Sequence, residues 1–198
     1  MCGRFLLNSP IGDIIKKYSI FYREDGEYSS GDVYPTQNAL IVLEGQKRIM
    51  TQGKWGFANY KTKRAIINAR AETAIVKPMF KKSVYGARCI IPSNGFYEWK
   101  DEGKGKKVKY KIGLKDGGLI SLGGIYKISL DEDFRERLSF VIITTEAQGN
   151  MKAIHHRMPL IINDDVLDAW LNKNTSMELV EKVIKSKIYT ELVIDKCR

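Results

Sequence analysis

The segment Arg88-Cys89-Ile90-Ile91-Pro92-Ser93-Asn94-Gly95-Phe96-Tyr97-Glu98-Trp99 decides the fold class. Two apolar runs flank a Pro-Ser-Asn-Gly turn, which is the pattern of strand, turn and strand. Working outward, β-type runs over 39–44, 48–51, 54–57 and 65–68 precede it, and runs over 108–114, 119–126, 138–145 and 158–162 follow. A further strand is expected at 191–194, hairpin turns at 101–107 and Asp116-Gly117, and a polar surface loop at 22–36. Helices are fewer. Ser9 is read as the cap of a short one, with Pro10 in its first turn and Ile11, Ile14, Ile15 and Tyr18 on one face. A second runs from Asn163 with Val166, Leu167, Trp170 and Leu171, and a third starts at Thr175, where Glu178 completes a capping box. Many strands and few helices predict an α+β fold: a curved, largely antiparallel sheet or barrel-like β core with a few peripheral helices, in one domain over 1–198.

Composition narrows the function classes. Lys and Arg total 33 against 23 Asp and Glu, a net charge of +10. Such an excess favours a polyanionic partner, nucleic acid first among them, although a basic surface also serves solubility alone. No apolar stretch is long enough to span a bilayer, so no membrane role is expected. MCGRFLLNSP carries one early charge and no cleavage-site pattern, and the cytoplasm, at the nucleoid when acting on DNA, is the expected location. The three cysteines, Cys2, Cys89 and Cys197, are odd in number and scattered, which fits a reducing compartment rather than a disulfide framework.

Four segments carry candidate chemistry. Cys2 follows Met1, and removal of Met1 would leave a 1,2-aminothiol. Its amine and thiol have reference pKa values of about 8 and 8.5, so both are nucleophilic in part at neutral pH. With an aldehyde the amine forms an imine, and the sulfur closes a thiazolidine on the imine carbon. The competing reading is a small apolar Cys in the core. Asn68 and Arg70 lie where a strand turns into a short helical stretch. Asn can orient an amine or carbonyl and Arg can grip a phosphate, or the pair is a cap with a surface charge. Glu98 shares a strand face with Phe96, and burial there would suit it to proton transfer. Facing outward it would be a surface charge. His155 and His156 are the only histidines. Acid–base or phosphate work suits them better than a metal, since the cysteines lack ligand spacing, and no metal or cofactor is expected. The plain alternative is a polar loop.

Six segments, MCGRF (1–5), Trp55-Gly56, INARAE (67–72), the 88–99 segment, FVIITTEA (140–147) and HHRMP (155–159), occur in this order. Together they resemble the SRAP family (SOS-response-associated peptidase), also described as abasic-site processing proteins. The resemblance implies that Cys2 crosslinks abasic sites in single-stranded DNA and removes Met1 from itself. It implies that Asn68 holds the amine and the opened sugar, and that Glu98 is the acid–base for imine chemistry. His155 would assist ring opening and strand cleavage. Arg70 would contact phosphate with Arg4 and Arg157 as helpers, and Trp55, Met79 and Phe80 would pack against bases beside the lesion or else lie in the core. A monomer acting without a cofactor is implied. An amide hydrolase with an N-terminal Cys nucleophile, or a non-catalytic basic nucleic-acid-binding module, are the competing functions. One departure stands out: where the family often has an Asn-Val-Ala-Pro segment, this chain reads Asp32-Val33-Tyr34-Pro35.

Overall fold

The computed structural model describes residues 2–23, 30–59, 62, 64–130, 133–186 and 191–197. In chain order its elements begin with β1 (Phe5–Leu7), α1 (Ile11–Tyr18), β2 (Tyr22–Arg23), β3 (Gly31–Val33), β4 (Asn38–Glu44) and β5 (Arg48–Trp55). The middle of the chain forms β6 (Asn68–Arg70), α2 (Ala71–Ala74), α3 (Pro78–Gly86), β7 (Arg88–Ser93), β8 (Gly95–Asp101) and β9 (Lys107–Gly113). Then come β10 (Ile120–Leu130), β11 (Glu136–Glu146), β12 (Arg157–Pro159), α4 (Leu167–Leu171), α5 (Met177–Ile184) and β13 (Val193–Lys196). The fold is α+β. Strands β11, β10, β7, β4 and β5 are neighbours in that order, and a parallel pairing of β5 with β11 at Phe140↔Trp55 closes them into a five-stranded barrel. A second, antiparallel sheet has the order β13-β9-β8-β1-β3.

The apolar runs of β4, β7 and β11 are continuous rather than alternating because both of their faces are buried. Leu40, Val42, Ile90, Val141 and Ile143 pack with the helices, against Trp170, Val180 and Phe80. Ala39, Ile41, Ile91, Phe140 and Ile142 pack towards the second sheet, against Phe5, Phe96 and Ile112. Arg88 is buried where β7 begins and donates to the carbonyls of Val84, Trp170 and Asn172, satisfying acceptors at the ends of α3 and α4.

Several sequence expectations are corrected. Ser9 does not cap α1: Pro10 holds that position, and the Ser9 hydroxyl accepts from Asn94 Nδ2 at 2.9 Å. The expected loop at 22–36 contains β2 and β3 instead, with 24–29 outside the described residues. The runs at 48–51 and 54–57 form the single strand β5, continuous through Gly53. The 65–68 run shifts to β6, preceded by an isolated bridge at Ile66. The 158–162 run divides into β12 and a bridge at Ile161. Residues Asp164–Val166 form a 3-10 turn before α4. Ser176, rather than Thr175, caps α5 by accepting from the Leu179 amide at 3.3 Å, so Glu178 completes no box with Thr175. Helix α3, which holds Met79 and Phe80, was not expected at all.

Gly53 is required by space rather than by a turn. A Cβ there would lie 2.5 Å from Leu138 Cδ2 and 3.2 Å from both Ile41 Cδ1 and Phe140 Cδ1. Gly53→Ala should therefore overpack the barrel and lower stability by about 1–3 kcal/mol. Urea unfolding of both proteins measures this, and an unchanged midpoint would show that the neighbours yield freely.

Candidate functional site

Strand β1 lies between β3 and β8 with Phe5 opposite Phe96 on one side and Val33 on the other. This pairing brings the first residues of the chain beside Glu98, two positions along β8. Phe96 and Glu98 share the inward face, so Glu98 is only 2% exposed. Cys2 is fully buried, and its thiol donates to the Arg4 carbonyl at 3.7 Å. Burial first, and the Glu98 carboxylate second, push that thiol up to about 12. The thiol is therefore held protonated at neutral pH.

Asn68 enters from β6, which pairs in parallel with β11. Its Nδ2 donates to the Cys2 carbonyl at 2.9 Å. Its Oδ1 is buried and has no hydrogen-bond partner among the described residues. His155 follows the 3-10 helix Gly149–Ala153. His155 Nδ1 lies 2.9 Å from the Arg157 amide and 3.1 Å from the Arg157 carbonyl, so the backbone of Arg157 fixes the ring's orientation. Burial lowers the His155 pKa while Glu98 opposes the shift, so the imidazole is neutral at pH 7 and lies within the field of the same carboxylate as Cys2. His156 stacks on His155 with ring centroids 4.3 Å apart. The structure thus gathers Cys2, Asn68, Glu98 and His155 from four distant parts of the chain. Among the described residues no three His, Cys, Asp or Glu side chains come together as a metal site.

A cleft of about 470 Å³ adjoins this group, lined by Arg70, Glu146, Ala147, Lys152, His156 and Arg157. Arg70 is exposed there. His156 was read from the sequence only as one of a pair suited to acid–base or phosphate work, and Lys152 was not singled out at all. A basic residue on a short 3-10 turn has no periodicity to mark it.

The family profile described as SOS response associated peptidase (SRAP) matches residues 1–196. The chain belongs to the SRAP family. Its relatives include Abasic site processing protein YoaM of Bacillus subtilis, 38% identical over 93% of this chain and 85% of YoaM. Abasic site processing protein YoqW of the same organism is 36% identical over 93% of this chain and 87% of YoqW. A crystal structure of a protein from Bacteroides thetaiotaomicron shares the fold at a TM-score of 0.85, with 24% identity over 100% of this chain and 92% of that one.

Not every residue that the SRAP resemblance nominated faces the site. Trp55 is fully buried, 5.2 Å from the Phe5 ring and stacked at 6.4 Å on Phe140, and its Nε1 donates to the Ile67 carbonyl. Phe80 is buried against Phe57. Both are core residues, because each lies on an element whose inner face closes the apolar interior, and neither offers a ring to a base. Met79, beside Phe80 on α3, is 46% exposed. Arg157 is buried and donates to both oxygens of Glu72, at 2.8 and 3.1 Å, and to the Thr144 carbonyl. Its fork is occupied by protein, so it ties α2, next to Asn68 and Arg70, to β12, next to His155.

Arg157 holds the Glu72 carboxyl below the usual carboxylate range, chiefly by hydrogen bonding. A carboxyl with a lowered folded pKa stabilises the fold above its unfolded value, near 4.5, and loses that contribution as pH falls through the folded one. Glu72 is half exposed, so water screens the pair, and Glu72→Ala should cost about 1 kcal/mol at neutral pH. Denaturant titrations should show that gap closing on acidification below 4.5. A gap independent of pH would mean that the ion pair contributes nothing.

Proposed function

We propose that this protein processes abasic sites, as the names of its relatives suggest, and that it does so in single-stranded DNA by trapping the sugar aldehyde on Cys2. The observation that carries this reading is the arrangement around Cys2. Asn68 Nδ2 donates to its carbonyl while the buried Oδ1 of the same side chain waits for a donor. Hydrolytic removal of Met1 would turn the Cys2 nitrogen into a free amine, which supplies that donor.

The Cys2 ammonium gives a proton to the Glu98 carboxylate, and the amine so freed adds to C1 of the opened sugar to give a carbinolamine. Glu98 passes that proton to the departing hydroxyl, which leaves as water, and an iminium remains. Glu98 then takes the proton from the Cys2 thiol as sulfur adds to the iminium carbon. The ring closes with net loss of one water, and Glu98 releases the proton to solvent and returns to the carboxylate. A thiol held protonated until that step suits this order, since it does not compete with the amine for the aldehyde. His155, oriented by the Arg157 backbone, serves as the acid–base group at the sugar ring oxygen during opening. Arg70 and Lys152 supply positive charge to the phosphates in the adjoining cleft.

Mass spectrometry after incubation with an abasic oligonucleotide tests the reaction. Wild type should gain the oligonucleotide mass less one water. Cys2→Ala should abolish the stable adduct, and Cys2→Ser should leave at most a reversible imine, because oxygen closes a less stable ring. A residue left permanently ahead of Cys2 should block crosslinking but not binding. Undiminished crosslinking by Cys2→Ala would reject the mechanism.

The cleft is tested separately with non-reactive single-stranded DNA. Each phosphate contact contributes about −0.7 to the slope of log K against log salt. Arg70→Ala should weaken binding and flatten the slope by roughly that amount, with little sequence dependence. Identical slopes for the two proteins would remove Arg70 from the phosphate site.

A further inference from the structure

The outer face of the second sheet carries a cluster that the reaction above does not use. The pairing of Phe5 with Phe96 and Val33 sets Arg4 opposite Tyr97 on one side and Tyr34 on the other. The Arg4 guanidinium carbon lies 4.4 Å from the Tyr34 ring centroid, 5.4 Å from that of Trp99 and 5.8 Å from that of Tyr97. Asp32 accepts the Tyr97 hydroxyl at 2.9 Å and stands 3.7 Å from Arg4 Nη1. Lys109 covers the Tyr97 ring at 3.9 Å. The Tyr34 amide is fixed in turn by the Gln37 side chain at 2.9 Å.

We infer that Arg4 is a positioning residue, caged by Tyr34, Tyr97, Trp99 and Asp32 so as to hold Cys2 in place for its reaction, and not a phosphate ligand. The inference rests on the abasic-site reading. A phosphate ligand presents the edges of its guanidinium to solvent. Arg4 instead places its guanidinium carbon within 6 Å of three ring centroids, keeps only 24% of its side chain exposed, and buries Nε. Its backbone carries the consequence. The Arg4 carbonyl accepts the Tyr97 amide at 3.0 Å and the Cys2 thiol at 3.7 Å. Gly3, between them, has no side chain with which to anchor the chain. Cys2 is thus held by Asn68 at its carbonyl and, through Arg4, at its sulfur. Two of the cage residues, Asp32 and Tyr34, stand where the family often has Asn and Ala.

The test compares wild type, Arg4→Ala, Arg4→Lys and Tyr34→Ala. Adduct formation is followed in single turnovers against concentration of abasic oligonucleotide. Affinity for non-reactive single-stranded DNA is measured at several salt concentrations, and alkylation of Cys2 is followed by peptide mass. Arg4→Ala should lower the maximal adduct rate roughly ten- to a hundredfold, with the half-saturating concentration and the salt slope unchanged. Tyr34→Ala should move the same way to a smaller extent, and it keeps the test open if Arg4→Ala misfolds. Arg4→Lys should recover part of the rate, since a cation among rings is retained. Cys2, buried in wild type, should be alkylated faster in Arg4→Ala. An unaltered maximal rate, or a slope flattened by about 0.7 with weaker binding, would overturn the inference in favour of a phosphate contact. Should wild type form no adduct at all, the abasic-site reading fails, and alkylation then decides alone: equal labelling of Cys2 in wild type and Arg4→Ala rejects the anchor.

Discussion

The register of β1 between β3 and β8 is the constraint on which the site depends. With Phe5 set against Phe96, the strand period fixes Glu98 on the inner side and Tyr97 and Trp99 on the outer side of the same sheet. A slip of one residue would exchange these faces. Glu98 would leave the neighbourhood of Cys2, and an aromatic ring would take its place. The register is held by more than the ladder. Phe5 is buried against Trp55, the Leu6 carbonyl accepts the Asn94 amide and the Ser93 hydroxyl, and Asn94 Oδ1 receives the amides of Asn8 and Ser9. The Pro-Ser-Asn-Gly turn therefore does more than reverse the chain, since its side chains fasten the start of the protein to β8.

Burial governs reactivity at the same point. The Cys2 thiol and the Glu98 carboxylate are buried, and the half-buried His155 imidazole lies within the field of the same carboxylate. Desolvation keeps the thiol protonated and the imidazole neutral. Glu98 raises both groups. On the proposed reading, the carboxylate gives and takes the proton while sulfur waits. A free thiolate at the surface would be a better nucleophile at rest but would also be open to oxidation and to competing electrophiles.

Much of this was legible in the sequence, for identifiable reasons. Continuous apolar runs such as Ala39–Leu43 and Phe140–Ile143 mark strands buried on two faces, and they gave the barrel-like core. Strand parity placed Glu98 with Phe96. What escaped reading was three-dimensional. The run through Gly53 looks broken, yet the glycine is there because Leu138 and Ile41 fill the space. The capping positions at Ser9 and Thr175 failed because neighbouring residues compete for the role, and Asn94, far away in sequence, claims the Ser9 hydroxyl. The family resemblance nominated Trp55 and Phe80 for contact with bases or for the core, but a resemblance records which residues recur together and not which way a ring points. Helix α3 went unseen because Pro78 at its start and Gly86 at its end leave only a weakly apolar face between them.

The arginines show why net charge is a poor map of a nucleic-acid surface. The excess of +10 suggests a broad cationic footprint. Yet Arg88 is spent on three backbone carbonyls, Arg157 on Glu72 and Thr144, Arg48 on Asp168 and the Tyr18 carbonyl, and Arg4 on a ring cage with Asp32. Counterion release depends on phosphates contacted and not on charges carried. A guanidinium buried in protein contributes to the long-range field that steers a polyanion but adds little to the contact itself. The residues that can add to it are the exposed ones beside the cleft, Arg70 and Lys152. On the proposed reading, their placement next to the paired histidines, rather than the total charge, would direct a strand towards Cys2.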